Sequence, residues 1–379
     1  MRPEIELLLL CASPTKNAER SARARQLLDG TLDWDHLVNL ADSHRLMPRV
    51  YWELKSLRPD AIPASLEEAF RQNTRNSLLL TQELIRILEL FDREAIPAIP
   101  FKGPTLAVRA YGNLALRSFD DLDIFVREAD VWRARDLLER EGYKANRRLP
   151  EKLQKPYIRS YDELLLHDPG KTLLLELHWA FLPRHFSVSL DTALFWQRTE
   201  LVSIGSRQVP TLGNEDLMLV LCLHGAKHCW SHLGLICDVA WLAAGKALCW
   251  DTLIQRARDA GALRMLLLAL ALAARTLDAP LAEPVARGIA ADPEVTTLSA
   301  EIAAKLFGAR HDERSILRSG ILHVRMRERL RDRLLYTFRL ATRPGVEDWE
   351  MFNLPASLSF LYPLLRIPRL ALKNRPRIS

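Results

Sequence analysis

The sequence predicts an α+β fold in which a small mixed β-sheet sits between extensive N- and C-terminal helical regions. Three observations predict it. Apolar residues recur at helical spacing through the first 95 residues and again after Asn214. Between these regions the texture changes to short apolar runs bounded by Pro and Gly. One of those runs, Asp121-Leu122-Asp123-Ile124-Phe125-Val126, alternates acidic and apolar residues as a half-buried strand does. The expected organisation is an N-terminal helical region (1–95), an α/β core (96–212), a helical domain completing its cleft (213–310) and a basic C-terminal helical segment (311–379).

Taken in order, a first helix covers Leu7 to Cys11, and Asn17 is a candidate cap for the next. Glu4 and Glu6 stand where a signal peptide would carry positive charge, which argues against a leader. Trp34 to Leu57 carries one continuous helical pattern. Ser65-Leu66-Glu67-Glu68 has the form of a capping box and starts a long helix to about Arg93. Ile96–Phe101, Lys102-Gly103-Pro104 and Thr105–Tyr111 then read as strand, tight turn and helix. After Asp121–Val126 an amphipathic helix is expected near Ala129–Glu141. Glu163–His167 and Thr172–Trp179 flank Asp168-Pro169-Gly170 as an antiparallel hairpin, and Val202–Pro210 around Gly205 forms another. Helices follow at Glu215–Trp230, Leu233–Ala244, Trp250–Ala260, Leu263–Leu277 and Val295–Phe307.

With 379 residues, 48% hydrophobic and 26% charged, the composition is that of a globular protein and excludes collagenous, peptide-sized and purely disordered chains. Five cysteines without a C-x-x-C pair read as reduced thiols, and a cytoplasmic location is expected. The longest apolar run, Met265–Ala274 between Arg264 and Arg275, is far short of the roughly 18 residues a transmembrane helix needs. A formal charge of +6 permits nucleotide, nucleic acid or anionic lipid and selects none of them.

Chemistry concentrates on the strand. Residues two apart share a face, so Asp121 and Asp123 present paired carboxylates while Leu122, Ile124 and Val126 enter the core. Such a pair suits Mg²⁺, which favours carboxylate, water and phosphate oxygens. Glu176, the one charge in Leu173-Leu174-Leu175-Glu176-Leu177, is the candidate third acid. His178 shares its face and could support metal or acceptor, whereas Trp179 points to the core. A lone D-x-D is most often a solvated edge, but Lys102 and Gly103 lie at a strand-to-helix turn upstream, where backbone amides can approach phosphate, and Arg117 adds a second cation. His224 and His228 are four apart on a helix with Lys227 beside them. Gly225 replaces the glutamate of H-E-x-x-H, which rejects zinc-protease chemistry, and zinc on His224, His228, Cys222 and Cys229 is a minor alternative. The alternating charges of Arg325–Arg333 read as a solvated helix. Leu354–Lys373, interrupted by three prolines, reads as packing on the body, with peripheral contact to an anionic membrane as the alternative.

The run Phe101-Lys102-Gly103, then Tyr111 and Arg117–Val126, resembles the uncharacterised nucleotidyltransferase family of the DNA polymerase β-like superfamily. The likeness continues through Glu176–Trp179, His224–His228, Asp238, Asp348-Trp349 and Leu354-Pro355. The departures are Lys102-Gly103-Pro104 where many superfamily members have Gly-Ser or Gly-Gly, and Glu176 where Asp is more usual. The resemblance implies a sheet of that superfamily's type and metal-dependent transfer of an NMP group from an NTP, ATP first among them, to an acceptor, with release of pyrophosphate. It implies two Mg²⁺ ions on Asp121, Asp123 and Glu176, with Lys102, Gly103, Arg117, His224, Lys227 and His228 around the nucleotide. The expected acceptor is a small molecule, sugar, peptide or protein; nucleic acid is disfavoured. A catalytically inactive nucleotide-binding scaffold and an RNA-modifying transferase are the alternative functions.

Overall fold

The computed structural model describes residues 1–147, 149–168, 170, 173–308, 316–345, 348–349, 351 and 361–362. Helices α1 (Pro3–Ala12) and α2 (Ala18–Leu28) open the chain, and Asn17 caps α2 as expected, its side chain accepting from the Arg20 amide. The continuous helix expected over Trp34–Leu57 is instead two, α3 (Trp34–Ser43) and α4 (Met47–Leu57). The break falls at Arg45, which is left-handed at φ 57°, and Pro48 in the first turn of α4 needs no backbone partner there.

Helix α5 (Ala64–Arg93) buries Leu66, Leu80, Leu84, Ile87, Leu88 and Phe91. Its expected capping box does not form. The helix already begins at Ala64, because Pro63 holds the extended backbone an N-cap requires, and Ser65 lies inside the first turn.

The centre contains β1 (Ala98–Pro100), α6 (Gly103–Tyr111), β2 (Asp121–Val126), α7 (Val131–Arg140), β3 (Lys144–Ala145), α8 (Glu151–Ser160), β4 (Glu163–Asp168) and β5 (Leu173–His178). After α9 (Thr192–Gln197), β6 (Thr199–Ile204) and β7 (Arg207–Leu212) form a separate two-stranded hairpin. The main sheet has the order β1-β2-β5-β4-β3. Among the described residues only β2 and β5 run parallel in it; their register pairs Asp121 with Leu174, Asp123 with Glu176 and Phe125 with His178. Alternation along both strands sends Leu122, Ile124, Val126, Leu173, Leu175 and Leu177 into one buried layer.

The C-terminal helices are α10 (Asn214–Lys227), α11 (Leu233–Gly245), α12 (Trp250–Ala260), α13 (Leu263–Leu277), α14 (Glu283–Ala291), α15 (Pro293–Leu306), α16 (Ile316–Arg325) and α17 (Leu330–Thr342). Helices α8, α9 and α14 occupy stretches that the sequence pattern leaves unassigned. One hydrophobic cluster joins α1–α4 to α10–α13, and a second lies beneath the main sheet and α5. The sheet's acidic face therefore meets helices from both ends of the chain. No described helix is long and apolar enough to cross a membrane. Within Leu354–Lys373 only Leu361 and Tyr362 are among the described residues, so that segment's expected placement lies outside them.

Candidate active site

The carboxylates stand where the parallel strands meet. Asp121 and Asp123 project from one face of β2, and the register sets Glu176 of β5 directly beside Asp123. Above them opens a cavity of about 460 Å³, lined by Asp121, Glu176, His178, Lys102, Arg117, His224, Lys227 and His228. Asp123 sits beneath the cavity floor, its side chain 0% exposed.

The β1–α6 turn delivers Lys102. Gly103 has φ +54°, and a Cβ there would lie 3.3 Å from the Asp121 carbonyl, so only glycine lets this turn press on β2. Lys102 Nζ then reaches Asp123 Oδ1 at 2.5 Å. His178 Nε2 lies 3.2 Å from the same Oδ1 and 3.2 Å from Glu176 Oε2, so both acceptors require that nitrogen to carry the proton. Phe101 packs edge-on against the His178 ring at 5.2 Å and fixes its plane. Burial works against charge on Asp123, but the Lys102 ammonium and the His178 hydrogen bond hold its carboxyl well below the usual range. Burial also opposes charge on His178, yet Asp123 and Glu176 push its pKa up to about 10. Asp121 moves the other way: burial, then the Asp123 charge, raise it to about 6.

Arg117 is tied to Asp238 by two hydrogen bonds, Nε to Oδ1 at 2.9 Å and Nη2 to Oδ2 at 3.0 Å, while Tyr111 donates to the same carboxylate at 2.7 Å. Its Nη1 is buried without a partner at the cavity wall. Asp238, which the sequence offers only as part of the family likeness, takes Arg117 and Tyr111 as its partners. Lys227 is held by Asp162 at 3.0 Å and Glu163 at 3.3 Å. The rings of His224 and His228 meet at 4.5 Å.

Sequence reasoning missed contributions from elsewhere in the chain. The α3–α4 turn brings Ser43, Arg45 and Leu46 to the cavity, Arg49 follows on α4, and Ser231 and His232 reach it from the α10–α11 turn. Pro48 was the local signal for the first of these, since it marks a helix start within the continuous pattern. Gly225 proves to be a packing residue: a Cβ there would lie 2.3 Å from the ring of the buried Trp230. Trp230 in turn closes α10 by donating its amide to the Gly225 carbonyl at 2.9 Å. Gly225→Ala is expected to cost about 1–3 kcal/mol through overpacking, read as a lower midpoint in urea; an unchanged midpoint would show that the Trp230 ring can move aside.

Burial holds several histidines around these helices neutral. It lowers the pKa of His44, His228, His232 and His323 to about 4 and that of His185 to about 3, and it takes His224 well below its ordinary value. These folded-state values lie below an unfolded value of about 6.5, so the stability they contribute is complete above that pH and is lost as pH falls towards 4. His178, raised in the fold, has the opposite sign and loses its contribution as pH rises towards about 10. Urea unfolding should therefore show stability dropping between about pH 6.5 and 4.5, and a flat profile there would contradict the burial of these rings.

Among the described residues, one group of His, Cys, Asp or Glu converges as metal ligands do: Asp123, Glu176 and His178, with donor atoms within 4.8 Å of one another. The zinc alternative on His224, His228, Cys222 and Cys229 has no such convergence among the described residues. Asp123 Oδ2 is buried with no hydrogen-bond partner, which fits a divalent cation.

A mixed sheet that sets a D-x-D strand beside a parallel strand bearing a third acid, beneath a cavity with basic side chains, defines an α+β nucleotidyltransferase. The profile of the uncharacterised nucleotidyltransferase family matches residues 30–278, and the chain belongs to that family. It is thus placed among enzymes that transfer phosphorus-containing groups. Comparison with curated proteins gives no match.

Proposed function

We propose that the protein transfers a nucleoside monophosphate from an NTP, ATP first among them, to a hydroxyl, phosphate or amine of a small-molecule, sugar, peptide or protein acceptor, releasing pyrophosphate. The observation that carries this reading is the β2–β5 register, which sets Glu176 against Asp123 below the basic cavity. Asp121, Asp123 and Glu176 would hold Mg²⁺, which when bound polarises phosphoryl oxygens and lowers the pKa of the attacking group. Glu176, at the cavity wall, orients the acceptor and takes its proton. Arg117 Nη1 is the free donor for a phosphate oxygen, since its other nitrogens already hold Asp238. His224 and His228, kept neutral, contribute hydrogen bonds and shape rather than charge. Gly103, at the first turn of α6, lets backbone amides near the helix N-terminus approach phosphate.

Nucleic acid is not the proposed acceptor: among the described residues of the basic C-terminal segment, Arg325 is held by Glu294 and Glu301, and Arg327 is buried with its guanidinium donating to the Phe186 carbonyl. The five free cysteines suit a reducing compartment, and the cytoplasm is the proposed location.

The test mixes the full chain with each NTP and Mg²⁺ and follows pyrophosphate release against pools of acceptors. Release that requires Mg²⁺ and is lost in an Asp121→Ala, Asp123→Ala double variant is expected. Equal release from that variant would overturn the proposal.

A further inference from the structure

We propose that Lys102 is a resident cation of this site, its ammonium taking the place of one metal ion of a two-ion arrangement, so that a single divalent ion enters with the nucleotide. The inference rests on the nucleotidyl-transfer reading of the cavity and goes beyond it.

Three observations converge. Lys102 Nζ lies 2.5 Å from Asp123 Oδ1, and the two side chains are 8% and 0% exposed, so the pair is withdrawn from solvent. The backbone allows it little freedom: Gly103 is left-handed against the Asp121 carbonyl, and the Lys102 carbonyl accepts from Thr105 Oγ1 at 2.8 Å. Finally, Oδ1 already has two donors, Lys102 and His178 Nε2, which leaves the unpartnered Oδ2 as the one Asp123 atom open to an ion.

A phosphate-seeking lysine would be expected to extend into the cavity, whereas Lys102, although part of the lining, turns its ammonium back onto Asp123 of the strand.

The experiment counts ions. The full chain is titrated with Mn²⁺ in the presence and absence of α,β-methylene ATP, and free Mn²⁺ is read by electron paramagnetic resonance. One nucleotide-dependent Mn²⁺ per chain is expected. Two would overturn the inference while leaving the nucleotidyl-transfer reading standing, because Lys102 would then have released Asp123. None, with no nucleotide bound, would remove that reading and the inference together. The same count on Lys102→Met, which keeps the length and removes the charge, should rise to two. Without nucleotide, the melting temperature of this variant should climb with Mn²⁺ by several degrees more than that of the unaltered chain. A folded Lys102→Met chain that still binds one ion, with no added thermal response, would also overturn the proposal. Should the variant fail to fold, the count on the unaltered chain decides the matter.

Discussion

Asp121→Asn is expected to lower nucleotidyl transfer by at least about 10²–10³-fold while the chain stays folded, in line with removal of one group that stabilises a developing charge. The carboxylate lines the cavity at the first residue of β2, where its charge can act on a bound ion or phosphate. Its environment already disfavours that charge, since burial and Asp123 bring its pKa to about 6. A neutral amide of the same shape should therefore be tolerated, because it relieves the repulsion with Asp123. The sign is definite: a folded-state value above the unfolded one means that the Asp121 contribution to stability is present at low pH and is lost as pH rises through about 6. Pyrophosphate release and urea unfolding, measured on the same preparation with chelator present for the unfolding, separate the two effects. Activity within tenfold of the unaltered chain would show that Asp121 does not act on the reacting groups.

Asp123→Ala should behave in the opposite way, with stability as its first casualty. Its carboxylate is fully buried and is the shared partner of the Lys102 ammonium and of His178. Removing it strands both donors in a desolvated setting, and breaking a buried pair from one side costs about 3–5 kcal/mol. Against a typical total of about 5–15 kcal/mol, that loss brings the chain close to unfolding at moderate temperature. The measurement is a double-mutant cycle in urea with Asp123→Ala, Lys102→Met and both together. The double variant should be less destabilised than the sum of the two single ones, because it leaves no unpaired ammonium. Strict additivity would mean that the contact at Asp123 contributes nothing specific.

The pair of predictions rests on a distinction that the sequence does not contain. Asp121 and Asp123 look equivalent in a D-x-D strand, both on one face. In the fold one lines the cavity and the other lies below its floor, and their carboxyls are displaced in opposite directions. Lys102, Arg117 and Lys227 were likewise indistinguishable as basic residues near an acidic strand. Each has acquired a different partner: Asp123, Asp238, and Asp162 with Glu163.

Much of the architecture was legible from local pattern. The alternation of Asp121–Val126 marked β2, and Trp250–Ala260 and Leu263–Leu277 appear as helices with the bounds that periodicity suggests. Where the reading failed, a short-range signal competed with a neighbour it had not weighed. Pro63 starts α5 before Ser65 can cap it, and the turn at Arg45 divides a helical pattern that had no visible gap.

By itself, then, the sequence determined most of the secondary elements, the apolar and acidic faces of the central strands and the kinds of side chain available for phosphate and metal chemistry. These follow from periodicities of two and 3.6 residues, which are properties of adjacent positions. Only the tertiary structure decided that Asp123 stands beside Glu176, that Lys102 turns back to meet it, and that the α3–α4 turn supplies part of the wall. The physical reason is that a buried charge takes its partner from whatever the packing of distant segments brings within a few ångströms, and strand register and helix docking set that distance, not position along the chain.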